Sequence, residues 1–218
     1  MTDASQPPTG DPRPDRVYDR IAAHFSRTRE HPWPDVADFV AEHDGDATRA
    51  LDLGCGNGRH AELLAERADA VVGVDASAGL LAEARARAAE RDYDLSLVRG
   101  DAARVPLRDD SIDLAVYVAT LHHLPSRGAR LASLDELARV LDAGGEALLS
   151  VWSTTHERFE ERESFDTTVD WTLPGGETEP RYYHIYDPEA FRADLDASAL
   201  TVLDVYESAG NSYAVVTS

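Results

Sequence analysis

Leu51-Asp52-Leu53-Gly54-Cys55-Gly56-Asn57-Gly58 is a stretch in which an apolar strand runs into a glycine turn. The strand spans Arg49 to Leu53, and a helical pattern from about Asn57 to Glu66 follows the turn. Glycines at such a point permit a tight bend and let a ligand approach bare backbone at a helix N-terminus. A dinucleotide-binding fingerprint would need a further glycine at position 59, and that residue is Arg59. Asp52, two residues before the first glycine, is expected at the mouth of the pocket, where it would repel a pyrophosphate and suit a cationic ligand. Asp75 closes the next apolar run 21 residues after Gly54, about where a carboxylate can hold both hydroxyls of a ribose. Gly100-Asp101-Ala102 ends a third run and sets another acid on the same rim, suited to the exocyclic amine of adenine.

Outward from this stretch, strands and helices alternate. Val17, Ile21 and Phe25 recur at helical spacing over Asp15 to Ser26, and a second short helix over Asp35 to Glu42 follows the breaker His31-Pro32-Trp33-Pro34. Ala70 to Val74, Leu95 to Val98, Ile112 to Val118 and Glu146 to Trp152 read as strands. A helix capped by Ser77 runs to about Arg91, another covers Ser126 to Leu141, and a third covers Pro188 to Asp196. Thr201–Glu207 and Tyr213–Thr217 form a terminal hairpin turned at Gly210-Asn211. The pattern predicts an α/β fold: a doubly wound, mostly parallel sheet of seven strands whose last hairpin runs antiparallel. Residues 153–184 break the alternation, are rich in charge, Pro and Gly, and read as a small inserted cap. Residues 1–14, with four prolines, read as a disordered tail before a single domain over 15–218.

Composition narrows the setting. With 43% hydrophobic residues the 218-residue chain is no disordered polymer, and it is long enough to bury a substantial core. No apolar run approaches the roughly 18 residues of a membrane helix, and the start lacks the apolar core of a secretory signal. The single cysteine, Cys55, forbids an internal disulfide and a cysteine metal cage, so no metal site and a cytoplasmic setting are expected. Cys55 itself reads as a small loop residue. Asp and Glu number 41 against 21 cations, giving −20, and every cation is Arg. So negative a field strains the compact state by self-repulsion, a penalty that concentrated salt removes. The composition is that of a salt-adapted protein. High salt also cancels most of the counterion-release advantage of basic patches, so the acidity does not exclude a nucleic-acid partner.

The glycine turn with Asp75 and Asp101 resembles the S-adenosylmethionine (SAM) pocket of class I methyltransferases, over roughly residues 49–152. That resemblance implies SAM as cofactor, with Asp52, Gly54, Cys55, Gly56 and Asn57 around its methionine part. Asp75 and Ala76 would hold the ribose, Asp101 and Ala102 the adenine, and Val118 would line the pocket. Val17-Tyr18-Asp19-Arg20-Ile21-Ala22-Ala23-His24-Phe25-Ser26-Arg27-Thr28-Arg29 with Pro32-Trp33-Pro34, His122-His123, Trp152, Arg181-Tyr182-Tyr183-His184-Ile185-Tyr186 and Gly210-Asn211 resemble a narrower group. These are the tRNA wobble-uridine carboxymethyl methyltransferases, which esterify 5-carboxymethyluridine in the anticodon loop. The likeness runs from about residue 16 to the C-terminus, and the composition is of the haloarchaeal type. A quinone-biosynthesis-like small-molecule methyltransferase and a non-catalytic SAM-binding subunit are the alternatives left open.

The narrower resemblance implies particular roles. An ionised carboxylate attacks a sulfonium methyl without a general base, so the site needs a cation to hold it and aromatics to stack the flipped base. Arg29 and Arg181 are the candidate clamps, Arg29 being an equal candidate for the SAM carboxylate. His122 is a candidate donor to the uracil edge, Tyr183 a candidate wall of the base pocket, and His123 reads as structural. Enzymes of this group bind a small zinc-binding activator that adds a strand at the sheet edge. Here that edge is Asp94-Leu95-Ser96-Leu97-Val98, and the alternative cover is the loop Arg104–Arg108.

Overall fold

A computed structural model describes residues 14–43 and 47–218. The expected tail lies outside the described residues except for Pro14, which opens the first helix. In chain order the elements are α1 (Pro14–Thr28), α2 (Pro34–Glu42), β1 (Ala47–Leu53), α3 (Ala61–Ala65), β2 (Ala68–Asp75), α4 (Ala78–Arg91), β3 (Ser96–Arg99) and β4 (Ile112–Val118). A 3-10 turn at Leu121–His123 then leads into α5 (Arg127–Val140), β5 (Leu141–Trp152), β6 (Phe165–Thr172), β7 (Thr178–Ile185), α6 (Pro188–Asp196), β8 (Thr201–Ser208) and β9 (Asn211–Thr217).

Seven strands form one sheet in the order β3-β2-β1-β4-β5-β9-β8. The pairs from β3 to β5 are parallel, and β9 runs antiparallel to both β5 and β8. The doubly wound sheet and its reversed hairpin are as the alternation predicts. Central strands β1 and β4 are buried on both faces, which explains their near-continuous apolar runs. One core lies under α5 and α6 and includes Leu53, Tyr117, Leu134, Leu149 and Phe191. The other lies under α2 and α3 and includes Val36, Leu64, Val116 and Tyr213. Helix entries carry local signals: Ser77, Ser126 and Asp187 each accept the backbone N–H three residues on.

Several boundaries differ from the sequence reading. The helix expected from Asn57 starts only at Ala61, because Gly58 holds φ +77°, a left-handed conformation that no right-handed helix contains. The edge strand is Ser96–Arg99, not 94–98, in register with β2 from Val72↔Ser96 to Asp75↔Arg99. β5 begins at Leu141, which pairs with Ile112, and a bulge absorbs the residues before Glu146.

The cap contains regular structure. β6 and β7 make a separate two-stranded antiparallel sheet in register from Phe165↔Ile185 to Thr172↔Thr178. Val169, Trp171, Tyr183 and Ile185 point inward. This hairpin is fastened to α1: Arg20 meets Glu179 through two N–H···O bonds of 2.6 and 2.7 Å, and Trp171 Nε1–H donates to His24 Nδ1 at 3.0 Å. Among the described residues no helix is long and apolar enough to cross a membrane, and no cluster of His, Cys, Asp and Glu is arranged to hold a metal.

Candidate active site

A cleft of about 1090 Å³ opens over the C-terminal ends of the parallel strands, where ligands bind in open α/β sheets. Its floor is the glycine turn. Gly54 (φ +74°) lies so close to Thr120 that a Cβ there would sit 2.2 Å from the Thr120 hydroxyl oxygen. The turn is fixed by its neighbours. Gly54 and Cys55 donate their N–H groups to the Val74 carbonyl, and Asn57 Nδ2 donates to the Arg29 carbonyl at 2.9 Å. Asn57 thus ties the turn to the end of α1.

Asp75 stands at the end of β2 with both oxygens already engaged. Oδ2 accepts Gly56 N–H and Oδ1 accepts Ser77 N–H, each at 2.8 Å. Burial pushes its pKa up, and these N–H donors oppose the shift. Each oxygen keeps a lone pair, which is what two vicinal ribose hydroxyls require. Ala76 and Ala102 line the same end of the cleft. Asp101 also lines it, exposed, with Oδ1 accepting Ala103 N–H at 2.9 Å. Val118, 6% exposed, and the buried Cys55 complete this end. Burial raises the Cys55 thiol well above its ordinary pKa, so it is an inert wall.

Asp52 is not where the sequence placed it. It is 1% exposed, paired on both sides within β1, and absent from the cleft lining. Its carboxylate faces the Ala61 N–H at the start of α3, and burial together with the nearby Asp75 pushes its pKa up to about 7. Alternation along the strand turned it away from the mouth.

The other end of the cleft is aromatic and cationic. The Arg181 guanidinium lies 4.8 Å from the Trp171 ring centre and 5.2 Å from that of Tyr183. Its Nη1 reaches Tyr18 Oη at 3.4 Å, while its buried Nε has no partner. Arg29 lies 5.2 Å from the same Trp171 ring. The structure thus brings both candidate clamps to one indole. Tyr183, 6% exposed, packs at 5.0 Å from His122, 4.5 Å from His123 and 5.2 Å from Trp152.

The two histidines are held in different states of bonding. His123 Nδ1–H donates to the Tyr182 carbonyl and its Nε2 accepts Tyr18 O–H, both at 2.9 Å. Burial lowers its pKa to about 4, so it is a neutral strut between α1 and β7. His122 Nδ1 accepts Trp152 N–H at 2.9 Å, so the proton resides on Nε2. Burial and the neighbouring His123 and Arg181 hold its pKa well below the ordinary value. His122 lines the cleft, and a hydrogen bond with the Ala119 backbone opposes this shift.

Sequence reasoning passed over Trp171, on which both arginines stack. Its signal was the alternation Phe165, Val169, Trp171 against polar residues, hidden inside a segment read by composition. Arg59 was noted only as a missing glycine, yet it lines the cleft beneath Trp33.

Residues 51–149 match the family model described as a methyltransferase domain. The chain is 38% identical over 142 residues to a tRNA (carboxymethyluridine(34)-5-O)-methyltransferase of Xenopus tropicalis, covering 65% of this chain and 21% of that protein. The chain therefore spans about a fifth of that relative's length. A Schizosaccharomyces pombe protein of the same description is 32% identical, with 72% of this chain and 67% of that protein covered. A putative methyltransferase of Encephalitozoon cuniculi is 34% identical over 87% of each. Among solved structures, the CcbJ methyltransferase of Streptomyces caelestis superposes with TM-score 0.74 at 19% identity, covering 96% of this chain and 99% of that one. A putative methyltransferase in complex with the Haloferax volcanii Trm112 methyltransferase activator gives 0.71 at 18%, covering 94% and 97%. A sheet of this order and relatives of this kind agree on one assignment: the chain belongs to the class I SAM-dependent methyltransferases, in the family of the tRNA carboxymethyluridine methyltransferases.

Proposed function

We propose that this chain methylates the carboxylate of a carboxymethyl group on the wobble uridine of tRNA. The observation that carries the reading is Arg181: a cation whose buried Nε lacks a partner, backed by two aromatic rings and facing the cleft. Such a group suits a planar oxyanion, which Arg binds with two parallel N–H···O bonds. Among the described residues, five arginines line the cleft (Arg29, Arg59, Arg99, Arg158 and Arg181) against Asp15, Asp75 and Asp101. In a chain of net charge −20 this is a local reversal of sign.

SAM, when bound, supplies an electrophilic methyl. Asp75 holds the ribose hydroxyls, Asp101 and Ala102 meet the adenine, and Gly54, Cys55, Gly56 and Asn57 border the methionine portion beside Val118. Arg181 holds the acceptor carboxylate, with Arg29 on the other approach to Trp171. His122 donates Nε2–H to the uracil edge and Tyr183 walls the base. The acceptor is ionised at neutral pH, so no residue has to remove a proton, and the chain contributes alignment and exclusion of water. Mass spectrometry of anticodon nucleosides from a deletion strain tests this. Loss of the methyl ester with accumulation of the acid is expected, and an unchanged nucleoside profile refutes it.

A small zinc-binding activator is the proposed partner, adding a strand to β3. Among the described residues β3 pairs only with β2. The loop 104–108 packs Pro106 against Gly100, and Val105 N–H turns to Glu136, so it does not pair with the outer side of the strand. An unpaired strand edge of this kind invites augmentation. Co-expression should give a heterodimer on size exclusion, and full activity from a lone chain that ignores the activator defeats the idea.

A further inference from the structure

Arg59 is a cation that the fold buries, and among the described residues no acid pairs with it. It is 8% exposed, and its guanidinium lies 5.3 Å from the ring centre of Trp33. Among the described residues it has neither an ion pair nor a hydrogen bond, and none of its nitrogens is sealed from the cleft it lines. Other buried arginines are matched. Arg87 meets Glu62 at 2.7 Å and the Glu30 carbonyl at 2.7 Å, and Arg130 meets the Leu124 carbonyl at 3.2 Å.

The surroundings of Arg59 make this costlier still. Burial and the charges of Arg29 and Arg87 lower its pKa to about 10, with only Asp52 and Tyr213 acting the other way. Asp52 is itself held towards neutrality by burial, so it is a weak counter-ion. His60, next in the chain, is neutral, with its buried Nε2 unpartnered. Isolated buried charge is strongly disfavoured, and a fold retains it where a ligand completes the pair.

We propose that Arg59, with Trp33 as its platform and Arg29 facing it, is an oxyanion seat separate from the Arg181 clamp. It takes either the carboxylate of the cofactor's methionine portion or a phosphate of the acceptor nucleotide. The proposal rests on the reading of the cleft as a site for SAM and an anionic acceptor. It also explains why position 59 holds a long cation where a dinucleotide-binding turn would close on glycine.

Arg59→Met keeps the stem against Trp33 and removes the charge. The ligand-free variant should melt at a higher temperature than the parent chain, since an unpaired buried cation has been deleted. If the cofactor supplies the oxyanion, affinity for S-adenosylhomocysteine falls by at least about tenfold, while affinity for 5′-methylthioadenosine, which lacks the carboxylate, is unchanged. If the acceptor supplies it, both nucleosides bind as before, and affinity for hypomodified tRNA falls by about tenfold or more. The proposal is overturned if S-adenosylhomocysteine and tRNA both bind as tightly as to the parent, or if the ligand-free variant melts lower. A parent chain that binds tRNA yet never methylates it would instead refute the proposed reaction and leave the seat standing.

Discussion

At the cofactor end of the cleft, Asp75 arrives with both oxygens bonded to backbone N–H groups of the adjoining turns. At the acceptor end, Arg181 and Arg29 arrive over an indole ring with few acceptors of their own. The first arrangement is assembled from neighbours in the chain and is complete before a ligand comes. The second is assembled across the chain: Trp171 bonds His24 across 147 positions and Arg181 reaches Tyr18 across 163. Its charges are left for a ligand to satisfy. On the proposed function, groups that serve a ligand common to a whole fold are locked locally, whereas groups proposed to select one acceptor hang on a segment that packs against α1.

Acid should break the second end before the first. The folded chain keeps His123 neutral down to a pKa of about 4, against an ordinary 6.5. Between those values the unfolded chain takes up a proton that the folded chain refuses, so stability falls as pH falls. This one group can remove up to about 3 kcal/mol. Asp52, whose pKa is raised to about 7, works in the opposite direction, because its neutral form favours the fold at low pH. Denaturant titrations of the parent and of His123→Gln from pH 7 to 4.5 separate the two. The variant should lose less stability on acidification, and parallel slopes would show that His123 does not link α1 to β7 in its neutral form.

At the proposed cofactor end, Asp75→Ala removes the proposed ribose acceptor and frees the Gly56 and Ser77 N–H groups. SAM affinity should fall by about 1–3 kcal/mol in calorimetry, and an unchanged affinity would remove Asp75 from the site. At the acceptor end, Arg181→Met should lower kcat/KM at least about tenfold, near 1.4 kcal/mol, with SAM affinity intact. If SAM binding weakens as well, the two ends are not the separate devices described above.

The same contrast governs what the sequence discloses. The sheet, its order class and the proposed cofactor residues Gly54, Gly56, Asp75 and Asp101 lie in short contiguous motifs whose spacing reflects local geometry. Asp52 was misplaced because the face a strand residue takes depends on its pleat against both neighbours. The α3 start was misjudged because the handedness at Gly58 is set by tertiary contacts, among them Tyr93 Oη on the Gly58 carbonyl at 3.1 Å. β6 and β7 were concealed by their charged, threonine-rich outer faces. Arg29, His122, Arg181 and Tyr183 were legible only through a family likeness, since nothing in the spacing of residues 29, 122 and 181 says that they share a cleft.

On the proposed function the cleft presents a carboxylate oxygen, and no base or ribose atom, to the methyl group. Hypomodified tRNA incubated with the chain, its activator and methyl-labelled SAM should acquire label that mild alkali releases as volatile methanol, the behaviour of an ester. Label that survives alkali on the nucleoside, or no label at all, would rule out transfer to a carboxylate.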